Sequence, residues 1–262
     1  MRCGVALMLV FTCGVIAGCL KPPDQPTQMP EAPPSTTTTP SKPVVSVTPA
    51  QAPPTAKPAF GFGPTLQQES GKQGKVDYNV KLPQVTGDKA GARDRFNDGM
   101  RVALKDVVRT LDDPKGTKPA TVGDGQLQAG ESSRVVFIGP HVLSGVAVFL
   151  SNSGGPYPSN RVATITINTD TAQPIMFGDV FADQGAAREQ LRKLAQELGP
   201  PDRIRAAGDM KSEQFLHWLP VPTGLTFYVS VPHVAGDFVP VTVPWAKIRD
   251  RVAPGMQAIL SQ

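Results

Sequence analysis

The sequence predicts an α+β domain in which an antiparallel or mixed curved sheet packs against about three helices, preceded by a disordered linker. Residues 134–138 and 142–150 are dense in strand-forming residues, and residues 161–168 alternate apolar and polar side chains like a strand, with no helix between these three segments. This order disfavours a doubly wound parallel sheet, in which helices alternate with strands. Apolar residues at helical spacing occur in only a few segments, of which residues 184–198 are the clearest.

The first predicted strand and helix occupy residues 75–111. Residues 75–82 alternate like a strand, and residues 89–111 carry apolar residues at helical spacing. We expect Asp88 to cap this helix and the turn-forming residues 112–116 to end it. The apolar face of the helix is predicted to comprise Phe96, Met100, Ala103, Val107 and Leu111.

The rest of the domain follows from the same patterns. Asp183 is expected to cap the helix at 184–198, and Gly199-Pro200-Pro201 to end it. Pro244 is expected to open a final helix. In order, these predicted elements are strands over 134–138, 142–150 and 161–168, a helix over 184–198, strands over 225–231 and 238–243, and a last helix from residue 244 that is interrupted at 254–255.

The segment before the domain has a different composition. Residues 20–60 contain 12 of the 28 prolines and few large aliphatic residues. Such a segment cannot bury enough apolar surface to offset the entropy lost on ordering. We therefore expect a linker over residues 19–60 and a folded domain over residues 61–262.

The N-terminus has the pattern of a bacterial lipoprotein signal peptide over residues 1–18. A basic start at Met1-Arg2 precedes an apolar run over residues 4–18, which is short for a membrane-spanning helix. The run ends at Ile16-Ala17-Gly18-Cys19, which resembles a lipobox. In that resemblance Cys19 carries the lipid, so we expect anchoring to the extracytoplasmic face of the cell membrane. A plain signal anchor and cleavage at a different site are the alternatives.

Cysteine content and charge exclude several classes of protein. The three cysteines, Cys3, Cys13 and Cys19, all precede the domain, which rules out a disulfide scaffold, a cysteine-ligated zinc site and a cysteine nucleophile within it. The chain has a formal net charge of +4 without a run of Lys or Arg. We therefore expect no nucleic-acid partner.

No motif for cofactor binding or hydrolysis stands out in the sequence. It lacks the nucleophile elbow, the dinucleotide-binding fingerprint and the phosphate-binding P-loop. Its three histidines are far apart, so we expect neither a metal site nor a cofactor. His141, after Gly-Pro, is interpreted as a turn residue, and His217, beside Trp218, as a packing residue.

Two loop residues are better candidates for a function. Asp237 follows His233 by four residues within one predicted loop, where an Asp–His pair can form. A serine hydrolase would also need a nucleophile, for which Ser144 and Ser230 are only guesses. Tyr157 stands between two prolines in a glycine-rich loop, where a rigid aromatic side chain is either a binding anchor or a cover for the end of the sheet.

Several short motifs, in matching order over residues 75–262, resemble a known family. The segments that carry the resemblance are Gln84-Val85-Thr86-Gly87, Phe96-Asn97, Val142-Leu143-Ser144-Gly145-Val146, Gly154-Gly155-Pro156-Tyr157-Pro158, Thr166-Ile167-Asn168-Thr169-Asp170, Gly178-Asp179-Val180-Phe181, Gly224-Leu225-Thr226-Phe227-Tyr228, Val234-Ala235-Gly236-Asp237 and Val241-Thr242-Val243-Pro244-Trp245. In these segments the sequence is similar to the extracytoplasmic domain of RsiV-like anti-sigma factors and to the related secreted mycobacterial immunogenic antigens.

The resemblance implies an α+β domain with a curved sheet packed on helices. RsiV-like receptors bind lysozyme through this domain, and some cell-wall deacetylases carry it as an accessory module. We expect neither anti-sigma nor deacetylase activity to carry over, because the corresponding segments do not accompany the domain. The family commonly has Gly-Gly-Ala-His-Pro where this sequence has Pro156-Tyr157 in place of Ala-His.

Together these features predict a lipid-anchored cell-envelope protein whose domain binds a cell-wall glycan or a protein such as lysozyme without catalysis. The loops at 152–160 and 232–238 are expected to form the site, with Tyr157, Asn160, His233 and Asp237 as ligand-binding residues. One alternative is a serine-type esterase or other hydrolase of the envelope. Another is a structural or immunogenic surface lipoprotein.

Overall fold

The computed structural model describes residues 54–112, 118–128, 130–210 and 215–262. The predicted signal peptide, Cys19 and all but the last residues of the predicted linker lie outside these ranges. In the described ranges no helix is both long enough and apolar enough to cross a bilayer.

A mixed sheet of six strands forms the centre of the described structure. Its neighbouring strands run in the order β1-β2-β3-β5-β4, and β6 pairs with β5. The pairing of β2 with β3 is parallel, whereas all other pairings in the sheet are antiparallel. The strands span Phe62–Gln73 (β1), Val76–Gly87 (β2), Ala120–Asp124 (β3), Arg134–Ile138 (β4), Val142–Asn152 (β5) and Ser159–Asn168 (β6).

A second sheet of three strands and several helices complete the domain, so the predicted α+β class is confirmed. The second sheet is an antiparallel meander of Trp218–Val221 (β7), Gly224–Ser230 (β8) and Phe238–Pro244 (β9). The described helices span Ala90–Leu111 (α1), Phe177–Val180 (α2), Gln184–Leu198 (α3), Pro201–Ala206 (α4) and Met256–Ser261 (α5).

The elements stack in four layers because each sheet is apolar on both faces. Along β5, Leu143, Ala147 and Phe149 pack towards α1, whereas Val146 and Val148 pack towards the second sheet. This alternation follows from the two-residue period of a strand. The opposite face of the second sheet is covered by α3, α4 and α5.

A buried ion pair lies between the two sheets. Glu131, just before β4, accepts hydrogen bonds from the Arg134 guanidinium and from the Tyr228 hydroxyl, each at 2.5 Å. Burial first, and then the charge of Glu131, raise the pKa of Tyr228 well above 10.0. The hydroxyl therefore stays protonated and continues to donate. Removing either partner would leave a buried carboxylate with fewer donors, which is costly in an apolar core.

Three strands were not predicted. β1 exposes most of its residues, so it lacks the apolar alternation by which a strand is recognised. β3 has five residues and β7 has four, including Pro220, which is too short for a clear pattern.

Three details of the predicted helices are wrong. No side chain caps α1 by a hydrogen bond, and its N-cap residue is Lys89 rather than Asp88. Phe96 and Met100 lie on the buried face of α1 as predicted, but the next buried residues are Leu104 and Val108. The reason is that the helix packs a row of residues spaced four apart against the sheet. Pro244 ends β9 and precedes only a short 3₁₀ helix, Trp245–Lys247, so the predicted long helix is wrong and the last α-helix begins at Met256.

Several predicted boundaries are confirmed. The Asp183 carboxylate accepts a hydrogen bond from the Ala186 N–H at 2.9 Å and so caps α3. That helix ends before Gly199, and Pro201 is the first residue of α4. The first long helix ends at Leu111, directly before the predicted stop.

Candidate functional site

Two hairpin loops meet at one end of the domain. The β5–β6 ladder closes at Ser151 and Ser159, and the β8–β9 ladder closes at Ser230 and Phe238. Tyr157 lies in the first loop, His233 and Asp237 lie in the second, and Asn160, the fourth residue predicted to bind a ligand, follows the first loop as the second residue of β6. We call the group of Tyr157, Asn160, His233 and Asp237 the loop site.

Asp237 joins the two loops. One carboxylate oxygen accepts hydrogen bonds from the backbone N–H of Asn160 at 2.7 Å and from its Nδ2 at 3.1 Å. The other oxygen is 2.9 Å from Nδ1 of His233. Asp237 is only 8% exposed, so these bonds are largely shielded from water. Both oxygens are committed to the protein, and the carboxylate therefore holds the site together.

His233 is oriented by this contact. A carboxylate is an acceptor, so the Nδ1 that it contacts carries the proton and Nε2 is left to face outward. The His233 side chain is 48% exposed, which makes the ring accessible to a ligand. The Asp–His pair predicted from the four-residue spacing is thus present in the structure.

Tyr157 extends the site across the other loop. Its ring centroid lies 6.3 Å from that of His233, with the two planes inclined at 45°. The side chain is 76% exposed, as expected for an aromatic residue displayed between two prolines. Val234, beside His233, is 91% exposed and adds apolar surface. A phenol, an imidazole and a branched aliphatic group therefore face solvent close together.

The loop before β9 turns sharply where it carries Asp237. Residues His233–Ala235 form one 3₁₀ turn, and Gly236 and Asp237 then adopt φ values of 98° and 65°. Gly236 suits this conformation because it lacks a Cβ, and Asp is among the residues that tolerate it best. An added Cβ on Gly236 would also come within 2.9 Å of the side chains of Arg203 and Gln128.

Arg203, from α4, supports this turn and was not predicted. Its Nε donates to the Ala235 carbonyl and its Nη2 to the Phe238 carbonyl, both at 2.8 Å. Burial lowers the pKa of Arg203, but the guanidinium stays charged at neutral pH. The two bonds clamp the backbone on either side of Asp237. No local pattern points to this residue, because it is more than thirty positions away in sequence.

Asn160 has one atom that these contacts leave unused. Its Oδ1 is buried and has no hydrogen-bond partner among the residues that the structure describes. The backbone N–H and Nδ2 both point to Asp237, so the side chain acts mainly as a strut between the loops.

The other candidate residues lie elsewhere. Nδ1 of His141 is 2.7 Å from an Asp170 carboxylate oxygen in an exposed pair. Burial lowers the pKa of His217, which packs edge-on against Phe238 at 5.9 Å between ring centroids. Ser144 is fully buried and its hydroxyl donates to the Pro220 carbonyl at 3.2 Å. Within the described ranges, no group of three or more His, Cys, Asp or Glu is placed to hold a metal ion.

Fold and loop site together define an α+β domain that presents a rigid, mixed aromatic and polar surface on two cross-linked loops.

No protein family model matches the sequence, and no curated protein matches it. Solved structures do match. A crystal structure of a DUF3298 family protein from Pseudomonas aeruginosa PAO1 has a TM-score of 0.52 at 11% sequence identity, covering 75% of this chain and 96% of that chain.

A member of the same family from Bacteroides fragilis NCTC 9343 has a TM-score of 0.49 at 11% identity, covering 76% of this chain and 97% of that chain. The Pseudomonas comparison shows that this chain shares its fold with a DUF3298 family protein. At this identity the likeness concerns the fold alone.

Proposed function

We propose that this chain is a lipid-anchored envelope protein whose extracytoplasmic, RsiV-like domain binds a ligand at the loop site without catalysis. The observation that carries the proposal is the cross-link through Asp237, which joins His233 to Asn160, three residues after Tyr157, while the exposed rings of Tyr157 and His233 lie 6.3 Å apart. A surface held rigid before binding loses little entropy when the ligand arrives. Aromatic side chains in such positions supply much of the binding energy at protein interfaces.

Two features favour binding over catalysis. Asp237 uses both oxygens to hold the loops, so it is a positioning group rather than a free base. Ser144, one of the two serines considered as a nucleophile, is buried and bonded to a backbone carbonyl away from solvent.

The ligand is proposed to be a cell-wall glycan or a protein such as lysozyme. The resemblance to RsiV-like domains supports a protein ligand, and the Pro-rich segment after Cys19 supports a position within the cell wall. The exposed surface of Tyr157, His233 and Val234 combines apolar area with hydrogen-bonding groups, which suits either class.

Binding of the purified full chain to lysozyme and to peptidoglycan fragments, measured by calorimetry, tests the proposal. We expect one of the two to bind, and Tyr157→Ala to weaken it by about 2 kcal/mol, or about 30-fold in Kd. Leu216→Ala is the matched control, because it also removes an exposed apolar side chain but outside the loops. Binding of neither ligand, or equal losses in both variants, would contradict the proposal.

A hydrolase is the second candidate, because the His233–Asp237 hydrogen bond also occurs in catalytic triads. A nucleophile-directed probe distinguishes the two functions. Labelling of the purified chain that disappears in His233→Ala would support a hydrolase, whereas binding without labelling supports the domain proposed above. If neither ligand binds and no probe reacts, the chain is best described as a structural or immunogenic surface protein.

The lipid anchor requires its own test. Radioactive palmitate should label the wild-type chain in a bacterial host, and Cys19→Ala should abolish the labelling. Persistent incorporation into Cys19→Ala would rule out attachment at this residue.

A further inference from the structure

Part of one face of the large sheet lies beyond the second sheet and reaches the surface. Along β5, Val146 and Val148 pack towards the second sheet, but the next residues on that face, Leu150 and Asn152, are partly exposed. In β3 and the first half of β2, alternate residues are buried against α1, and the others lie on this same face. The strand register aligns the surface residues in two rows across β2, β3 and β5, Asp77–Thr121–Asn152 and Asn79–Gly123–Leu150.

These two rows form the floor of a groove of about 370 Å³, which we call the sheet groove. The centre of the floor is open because Gly123 has no side chain, and a Cβ on this residue would have no heavy atom within 4 Å. Pro158, next to Tyr157 of the loop site, also lines the groove. The volume lies in the range of sites that bind small molecules.

Two asparagine side chains in the groove are oriented by the protein. Oδ1 of Asn152 accepts a hydrogen bond from the Gly154 N–H at 2.8 Å, and Oδ1 of Asn79 accepts one from Nε2 of Gln68. With each oxygen used in this way, the Nδ2 group of each amide is left to donate to a ligand. Groups that are oriented before binding lose little entropy when a ligand arrives. Thr121 adds a hydroxyl, which both donates and accepts.

The groove carries almost no net charge. Among the described residues that line it, only Asp77 is charged, and Nζ of Lys72 lies 3.4 Å from its carboxylate. Such a surface has no excess of positive charge to attract a phosphate-rich or sulfated ligand. Leu150, which is 36% exposed, and Pro158 add apolar contact area beside the polar groups.

We propose that the sheet groove binds a neutral, hydroxyl-rich glycan of the cell wall. Sugar hydroxyls donate and accept hydrogen bonds, so they match the donors of Asn79 and Asn152 and the acceptor Asp77. The C–H groups of a sugar ring would pack on Leu150 and Pro158. This inference deepens the proposed function, on which it rests for the position of the domain in the cell wall, by naming a glycan as a ligand.

Titration of the full chain with neutral tetrasaccharides, followed by NMR of its backbone and side-chain amides, tests the proposal. The probes are the linear tetramers of N-acetylglucosamine, glucose, galactose and mannose. We expect at least one to bind with a Kd below about 1 mM and to shift the signals of the Gly123 amide and of Nδ2 in Asn79 and Asn152. Binding of none of them, or shifts confined to other regions, would overturn the proposal. A sulfated polysaccharide that bound more tightly than every neutral tetramer would also overturn it.

Conservative variants locate the binding. Asn79→Asp and Asn152→Asp each keep an oxygen that accepts the internal hydrogen bond but lose the Nδ2 donor, and each should weaken the bound tetramer about tenfold. Asn168→Asp is the matched control, because its Oδ1 also accepts a backbone hydrogen bond but lies at the opposite end of β6. It should leave the affinity unchanged.

A third variant blocks the groove without removing a polar group. Gly123→Ile fills the open floor with a residue that suits a strand, and it should weaken the tetramer about tenfold or more. Equal affinities in the wild type and in all three groove variants would overturn the proposal.

The outcomes separate this inference from the loop site. A tetramer that loses affinity in Tyr157→Ala but not in the groove variants would overturn the sheet groove and leave the loop site standing. Loss in the groove variants with unchanged affinity in Tyr157→Ala would support the sheet groove and contradict the loop site. Binding of lysozyme but of no tetramer would overturn this inference alone.

Discussion

Replacing Asp237 by alanine removes the carboxylate that joins the two loops of the candidate site. The backbone N–H and Nδ2 of Asn160 lose their shared acceptor, and His233 loses the group that orients its ring. Alanine is also less tolerant than aspartate of the left-handed backbone at this position, where φ is 65°.

The size of the effect follows from these contacts. Two hydrogen bonds from Asn160 to a buried charged acceptor contribute about 3 kcal/mol together. The half-exposed His233 contact adds about 0–1 kcal/mol, and the left-handed backbone about 1 kcal/mol. We therefore expect Asp237→Ala to lower the free energy of unfolding by about 4–5 kcal/mol, which is a large share of the stability of a typical domain.

Urea unfolding of the full chain, followed by tryptophan fluorescence, measures this quantity. Asp170→Ala is the matched control, since it breaks a similar Asp–His contact of 2.7 Å on the exposed surface and should cost less than about 1 kcal/mol. Asp237→Gly removes the same carboxylate, but glycine suits the left-handed backbone. Its free energy of unfolding should therefore be about 1 kcal/mol higher than that of Asp237→Ala. If Asp237→Ala and Asp170→Ala were equally stable, the cross-link would not hold the loops as described.

Three further predictions concern the core. Gly224→Ala should lower the free energy of unfolding in urea by about 3 kcal/mol or more, because an added Cβ would overlap a backbone carbonyl of β9. Gly123→Ala is the control, because open space surrounds this residue, and it should change the free energy of unfolding by less than about 1 kcal/mol. Burial lowers the pKa of His217, so the folded state favours the neutral ring. The contribution of His217 to the stability of the domain is therefore complete above pH 6.5 and is lost as the pH falls below this value. His217→Gln should reduce this pH dependence in unfolding measurements, and an unchanged dependence would show that other groups cause it. Tyr228→Phe should lower the free energy of unfolding by about 1–3 kcal/mol, because the buried carboxylate that Tyr228 contacts loses one donor. The stability of the wild type should also fall as the pH rises above 10.0, and the variant should lack this decline.

The parts of the fold that could be predicted from the sequence are the strands and helices in which buried apolar residues recur at the spacing of that element. β6 alternates Val162 and Thr164 on one face with Ala163 and Ile165 on the other, and the structure places Val162 in one core cluster and Ala163 and Ile165 against another. β1 could not be found in this way, because it is an edge strand with largely exposed residues. Its pairing depends on a tight turn at Gly74, whose φ is 54°, and on the length of β2.

The loop site was partly predictable for a similar reason. Both loops are local features, and the spacing of His233 and Asp237 is short enough for a pair to be expected. The contacts of Asp237 with Asn160 and of Arg203 with Ala235 join distant parts of the chain, which no local pattern can indicate. The stacking of the second sheet on the first, which brings Tyr228 to Glu131, depends on the same kind of long-range contact.

The central claim is that Tyr157 and His233 form one binding surface, and a double-mutant cycle tests it most directly. Affinities for whichever of lysozyme and peptidoglycan binds would be measured with wild type, Tyr157→Ala, His233→Ala and the double variant. Because the two rings are neighbours with centroids 6.3 Å apart, a ligand in contact with both should make the losses non-additive by about 0.5 kcal/mol or more. Single variants without any loss, or losses that simply add, would contradict a shared surface.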